Sequence, residues 1–266
     1  MALPGVMRAE RSQSTHAGLQ AVVTGAAGGI GAAIVRGLID LGITVHGLDR
    51  DRAGQQRLIA ELNGDARYVA HVVDLADRAD TDRVLAEVLA ALAGRCDILV
   101  NNAGISRVQP FSATDDGLLD LLLAVNFTAA FRITRALMPA LQGSGCAAIV
   151  NIASELALVG QAGYGAYCAT KGALLAWSRA LAVEFARQGI RVNAVCPGPT
   201  DTAMLNEEFA AAADPPAVRS AEIASVPLGR LGAAREIAAV VAFLASDAAA
   251  FVTGAAWSVD GGKSAR

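Results

Sequence analysis

Lysine is nearly absent from this chain, with two among 266 residues, and tyrosine is scarce at three. Lys and Arg together number 22 against 25 Asp and Glu, a formal net charge of −3, and no basic run or stripe is present. That balance excludes the electrostatic footprint of a nucleic-acid binder. The four cysteines, Cys96, Cys146, Cys168 and Cys196, show no CxxC spacing and sit in apolar surroundings. They read as buried free thiols in a reducing, cytoplasmic setting rather than as a disulfide framework. The three histidines, His16, His46 and His71, form no HxxxH or Cys/His cluster, so no metal site is expected. No uncharged apolar run reaches the length of a membrane span, since the stretch from Leu19 to Val35 is short and glycine-rich. Residues 1–18, with Arg8, Glu10 and Arg11 among small polar residues, lack the apolar run of a signal peptide and read as a loose tail.

What is abundant is apolar surface: 54% of residues are hydrophobic and 18% charged in 27.1 kDa, enough for a sizeable core. The apolar runs at 20–24, 43–49, 66–74, 96–100, 147–153 and 190–195 read as strands, with a final short strand in AAWSVDGG. Helical periodicity lies between them, over 32–41, 52–62, 77–93, 114–141, 163–188 and 234–244. Residues 200–225 are rich in Ala and Pro and read as irregular. Strands and helices alternate, and the strands are continuously apolar, which predicts a parallel sheet covered on both faces. With no repeat or break in composition, residues 19–266 are expected to form one domain.

The first strand breaks into Gly25-Ala26-Ala27-Gly28-Gly29-Ile30-Gly31, which opens a helix. Missing Cβ atoms let such a turn approach a pyrophosphate, and the helix N-terminus offers free N–H groups. Asp49 ends the next strand, where a carboxylate can accept hydrogen bonds from adenosine ribose hydroxyls.

Tyr167 and Lys171 stand four residues apart in a helical segment and therefore share a face. A phenol of reference pKa about 10 is a poor base. An ammonium about 4 Å away, at an effective dielectric of about 20, supplies about 4 kcal/mol toward the phenolate. A shift of about three pKa units needs about that much, so Lys171, helped by a cationic cofactor, is expected to bring Tyr167 toward neutral pH as a general acid/base. Ser154, thirteen residues upstream, is placed to hold the substrate oxygen.

These features resemble the short-chain dehydrogenase/reductase family from Leu19 to Gly262: TGAAGGIG (24–31), Asp74-Leu75, NNAG (101–104), Asn126, Ser154, Tyr167 with Lys171, Asn193 with Pro197-Gly198, and Val259-Asp260-Gly261-Gly262. The resemblance implies a Rossmann-like, doubly wound α/β fold with seven parallel strands, helices on both faces, and a nicotinamide cofactor across the strands' C-terminal ends. It implies cofactor contacts at Gly25, Gly28, Gly29, Ile30, Gly31 and Asp49, and at Asp74 and Leu75 around the adenine. Asn101 or Asn102, with Ala103 and Gly104, would form a wall, and Pro197, Gly198, Thr200 and Thr202 would bracket the nicotinamide. Tyr167 and Lys171 would touch the nicotinamide ribose. The implied catalytic set is Asn126, Ser154, Tyr167 and Lys171, with Asn126 holding a water of a proton relay. The implied activity is NAD-dependent interconversion of a secondary alcohol and a ketone. The alternatives are an NADPH-dependent reductase of the 3-oxoacyl-carrier-protein type, which usually has a basic residue where Gly28 stands, and a cofactor-binding sensor without turnover. A homotetramer or dimer is implied, with a small alcohol or ketone as partner and neither nucleic acid nor membrane. The substrate pocket is expected from residues 106–110, 155–164 and 200–226, the last forming a mobile lid over about 200–225. Tyr164 is read as bordering the pocket, Cys168 as pointing away, and Trp177 and Phe185 as core or interface. Glu155, where the family usually has a small or apolar residue, is read as a solvated acid, with a substrate ligand as the alternative.

Overall fold

The computed structural model describes residues 18–265, so the expected tail, Gly18 apart, lies outside the described residues. In chain order the main elements are β1 (Gln20–Thr24), α1 (Gly29–Asp40), β2 (Thr44–Asp49), α2 (Arg52–Glu61), β3 (Tyr68–Val72), α3 (Arg78–Leu92) and β4 (Ile98–Asn101). The second half continues with α4 (Asp116–Leu123), α5 (Ala129–Ser144), β5 (Ala148–Ile152), α6 (Gly165–Phe185), β6 (Arg191–Pro197), β7 (Thr200–Asp201), α7 (Ala203–Ala210), α8 (Pro215–Ser225), β8 (Gly232–Ala233), α9 (Ala234–Ala245) and β9 (Ala256–Val259).

Seven strands form one sheet in the order β3-β2-β1-β4-β5-β6-β9, every pairing parallel. Every residue of β4, β5 and β6 is buried, as expected of parallel strands covered on both faces. One face packs Ile34, Val35 and Leu38 of α1 against Ile237, Val241 and Leu244 of α9. The other buries Val84 and Val88 of α3, Ile133 and Leu137 of α5, and Leu181 of α6. Each such side chain contributes about 1.5–3 kcal/mol when fully buried. From β1 the chain runs outward to β2 and β3, then returns to place β4 on the other side of β1. At that reversal the connections diverge and a crevice opens beyond the strands' C-terminal ends.

Two segments differ from the sequence reading. The helix expected over 114–141 is broken by a π turn, Ala124–Thr128, whose extra residue re-aims Asn126. The combined helix, Asp116–Ser144, is long and apolar enough by length and composition to cross a membrane, although Arg132 and Arg135 interrupt it. Its buried face, including Ala129, Ile133, Leu137 and Leu141, packs on the sheet. Residues 200–225 are not irregular: α7 starts on Thr202, whose Oγ1 accepts the Leu205 N–H. α8 starts on Asp214, whose carboxylate accepts the Ala217 N–H, followed by Pro215 and Pro216 in the first turn. Proline there needs no N–H partner and presets φ, so it begins a helix rather than breaking one.

Candidate active site

Gly25 leaves β1 at φ +64, and a Cβ on it would lie 2.8 Å from the Ala103 Cα. Only glycine lets the β1 and β4 exits come this close. Asn102 seals the contact, its Nδ2 donating to the carbonyls of Thr24 and Gly25 at 3.0 and 2.9 Å. Gly28 is the N-cap of α1 and has no side chain to cap it, so the first-turn N–H groups are left for a ligand. Gly31, expected to touch the cofactor, does not line the cleft. A Cβ there would sit 1.8 Å from the Gly25 carbonyl oxygen, so its glycine serves close packing of helix on turn.

The cleft has a volume of about 430 Å³ and runs over the sheet's C-terminal edge. Gly25, Gly28, Gly29, Ile30, Asp49, Asn102, Ala103 and Gly104 line it from one side. Ser154, Tyr167, Lys171, Pro197, Gly198, Thr200 and Thr202 line it from the other. A neighbouring cavity of about 130 Å³ holds Asp74 and Leu75 and shares Gly25, Asp49, Ala103 and Gly104. Asn101 is not part of this wall. It is buried beneath it, donating to Thr134 Oγ1 and to Asn151 Oδ1. Asp49 is pinned by two backbone donors, Ala27 N–H on Oδ2 and Asp51 N–H on Oδ1, both at 2.9 Å. Arg50 and Asp51 also line this end, whereas Arg52 does not.

Tyr167 and Lys171 fall on one face of α6, with the Lys171 Nζ 5.8 Å from the Tyr167 ring centroid. Lys171 is buried, and its Nζ donates to the Ile152 carbonyl at 2.8 Å. Burial pushes its pKa down to about 8. Tyr167 is half-buried, and in the protein alone its phenol is not yet lowered. Burial holds it above the ordinary phenol value, the hydrogen bond with Ser154 pulls it down, and the Glu155 and Glu208 carboxylates push it up. Desolvation is the largest cause at both residues, so the chain alone presents Tyr167 as a proton donor. Ser154 Oγ accepts the Leu156 N–H at 3.1 Å, which fixes it at the end of β5. Asn126 does not reach Lys171 directly. Its Oδ1 accepts from Ile105 N, and its Nδ2 donates to Ile105 O and to Thr170 Oγ1.

Glu155 is not the solvated acid its sequence position suggested. It is 5% exposed, lines the cleft, and pairs with Lys263 at 3.4 Å. Tyr164 borders the cleft as expected and donates to Glu208 of α7 at 2.8 Å. Ser106, Arg107, Leu156, Gln161, Ala203, Met204, Leu205, Glu207 and Glu222 also line the cleft within the expected ranges. Cys168 is outside it, and Trp177 packs on Phe127 and Phe131, each ring 5.8 Å away. Sequence reasoning missed Lys263 and the contribution of Asp51.

The site's glycine cradle, uncapped helix end and pinned carboxylate fit a dinucleotide, and similarity to known proteins agrees. The family model described as enoyl-(acyl carrier protein) reductase matches residues 25–264. The 3-oxoacyl-[acyl-carrier-protein] reductase of Salmonella typhimurium is 38% identical over 242 residues, 91% of this chain and 96% of its own. The D-threitol dehydrogenase of Mycolicibacterium smegmatis is 38% identical over 246 residues, 92% of each chain. The solved 3-ketoacyl-(acyl-carrier-protein) reductase of Brucella melitensis, complexed with NADH, superimposes with a TM-score of 0.85 at 33% identity, covering 94% of this chain and 100% of that one. Another solved relative holds NADP at low occupancy. On its fold, its motifs and these similarities, the chain belongs to the short-chain dehydrogenase/reductase family of nicotinamide-dependent oxidoreductases acting on CH–OH or carbonyl groups.

Proposed function

We propose that the protein is an NAD-dependent oxidoreductase interconverting a secondary alcohol and its ketone. The observation that carries this reading is the convergence of Ser154, Tyr167 and Lys171 on a cleft that also contains Asp49. A bound nicotinamide supplies the hydride acceptor for oxidation and the donor for reduction. The chain's own groups do the rest. The Ser154 hydroxyl holds the substrate oxygen, and Tyr167 takes or returns that oxygen's proton. Lys171 sets a positive charge beside the phenol and holds the nicotinamide ribose. Asn126 fixes the Ile105 backbone beside Lys171 and carries the outer end of the proton path. The α1 N-terminus with Gly28, Gly29 and Ile30 binds the pyrophosphate, Asp74 and Leu75 the adenine, and Pro197, Gly198, Thr200 and Thr202 the nicotinamide. Initial rates of NADH formation on secondary alcohols, sugars and cyclic diols test the reading. Tight NAD binding without turnover on any of them would favour a sensor.

The second reading, a reductase of 3-oxoacyl-carrier-protein substrates using NADPH, is favoured by the Arg50 guanidinium at the adenosine end and by the similarity to acyl-carrier-protein reductases over nearly the whole chain. Against it, Gly28 offers no cation from the glycine turn.

The lid reading survives the finding that 200–225 is helical. Met204, Leu205, Glu207, Glu208 and Glu222 line the cleft, while α8 buries none of its residues. A helix held by so few apolar contacts opens readily. Amide exchange in α8 is expected to be much faster than in β6 without ligand and to slow when cofactor and substrate bind. Equal protection of α8 and β6 in the free protein would refute a mobile lid.

Apolar side chains left outside the core on α4, α5 and α6, namely Leu121 (42% exposed), Phe131 (40%) and Val183 (83%), support a homotetramer or dimer built on these helices. A monomer by light scattering at micromolar concentration would count against it. The four free thiols support a reducing, cytoplasmic setting.

A further inference from the structure

Glu155 is a carboxylate held almost wholly out of water beside the group assigned to hold the reacting oxygen. A buried carboxylate needs a partner or a task. Its Oε1 has a partner, the Lys263 Nζ at 3.4 Å. Lys263 is shared, because it also pairs with Glu222 at 2.5 Å and donates to Gln161 Oε1 at 3.5 Å. The other oxygen, Oε2, lies 3.4 Å from Ser154 Oγ, a long contact that satisfies it poorly.

A second, independent observation points to a ligand in the same cavity. Ser106 is among the residues that line the cleft and is 4% exposed, and its Oγ is buried with no hydrogen-bond partner. Buried hydroxyls in folded proteins find partners. Tyr164 points its proton at Glu208, which leaves the phenol oxygen to the cleft as an acceptor. The substrate half of the cavity therefore offers mostly acceptors, and its lining charges are Glu155, Glu207, Glu208 and Glu222 against Arg107.

We propose that Glu155 is a specificity-determining residue whose Oε2 accepts a hydrogen bond from a hydroxyl on the carbon next to the reacting carbinol. The substrates are then neutral vicinal diols and larger polyols. This rests on the assignment of Ser154 and Tyr167 to the reacting oxygen. The neighbouring oxygens of a vicinal diol are spaced much as hydrogen-bonded oxygens are, so one can sit on Ser154 while the next faces Glu155. Lys263 already balances the Glu155 charge, so a neutral donor fits better than an ammonium. A carboxylate or a thioester carbonyl at that carbon would set an acceptor against an acceptor.

The test compares three substrates sharing one CH₃–CHOH end: butane-2,3-diol, butan-2-ol and lactate, each with NAD as the oxidant. The wild type is expected to favour the diol over butan-2-ol by about a hundredfold in kcat/KM, the discrimination of a site built to bond a hydroxyl. Lactate is expected to be poorer still. Glu155→Met is expected to bring the diol and butan-2-ol to within about threefold of each other. It does not strand a buried cation, because Lys263 keeps Glu222. Glu155→Gln, which retains a carbonyl acceptor without the charge, is expected to keep the diol preference and to admit lactate. A wild type that oxidises butan-2-ol as well as the diol overturns the inference and leaves the oxidoreductase reading standing. The same diol preference in Glu155→Met also overturns it. No oxidation of any of the three, with tight NAD binding, overturns both. The wild-type comparison decides the matter even if neither variant folds.

Discussion

Tyr167→Phe is expected to lower kcat by about a hundredfold or more, the span of general acid/base catalysis, while leaving NAD affinity largely unchanged. The substitution removes one hydroxyl and keeps the ring, its edge contact with Tyr164 at 6.2 Å and its place above Lys171. What disappears is the phenol proton that the chain sets beside Ser154. Lys171→Ala is expected to weaken both rate and cofactor binding, since that ammonium serves the phenol and the ribose together. The pH dependence follows from the direction of the shifts. Burial holds the Tyr167 phenol above its ordinary pKa, so reduction, which needs the protonated form, runs well at neutral pH. Oxidation needs the phenolate, and its kcat/KM is expected to climb with pH. The climb flattens as Lys171, pushed down to about 8 by burial, loses the charge that favours the phenolate. More than a tenth of wild-type kcat in Tyr167→Phe, measured at saturating cofactor, would remove Tyr167 from the acid/base role.

How much of this was legible in sequence depended on how local the physics is. The sheet was, because parallel strands buried on both faces are continuous apolar runs wherever they lie. The Tyr167–Lys171 pair was, because helix geometry fixes what stands four residues on. At Gly31 the sequence shows that a Cβ is missing, not whether ligand or backbone fills the space, and the structure puts the Gly25 carbonyl there. The upward push on Tyr167 in the protein alone was not legible, because Coulomb attraction can be written from spacing, whereas desolvation cannot. Glu155 was misread because its partner, Lys263, stands at the far end of the chain and reaches it only through the β6–β9 pairing and the turn beyond Asp260. The helices of 200–225 were missed because the segment is rich in Ala and Pro and shows little apolar periodicity, whereas the start of α8 is set by the Asp214 cap before Pro215-Pro216.

NAD is expected to be preferred over NADP by at least about a hundredfold in kcat/KM, about 2.7 kcal/mol. The carboxylate of Asp49 faces the adenosine end of the cleft, and its position is not adjustable: the Ala27 and Asp51 N–H groups hold one oxygen each. Its remaining lone pairs can accept from ribose hydroxyls. A 2′-phosphate in the same place would meet this charge at about 5 Å, a repulsion of about 3 kcal/mol at an effective dielectric of about 20. Asp51 lines the same end and adds to it, although its carboxylate also pairs with Arg57 at 3.2 Å. Arg50 is the one cation facing this end of the cleft among the described residues, and Gly28 opposite contributes none, so a phosphate would be held from a single side. Asp49→Ala should therefore narrow the gap chiefly by admitting NADP through Arg50, and a second change, Arg50→Ala, should take that gain away again. Steady-state kinetics with both cofactors on one accepted alcohol decide the matter. Equal or better use of NADP by the wild type would remove Asp49 from its assigned role. It would also bring the 3-oxoacyl reductase reading to the front.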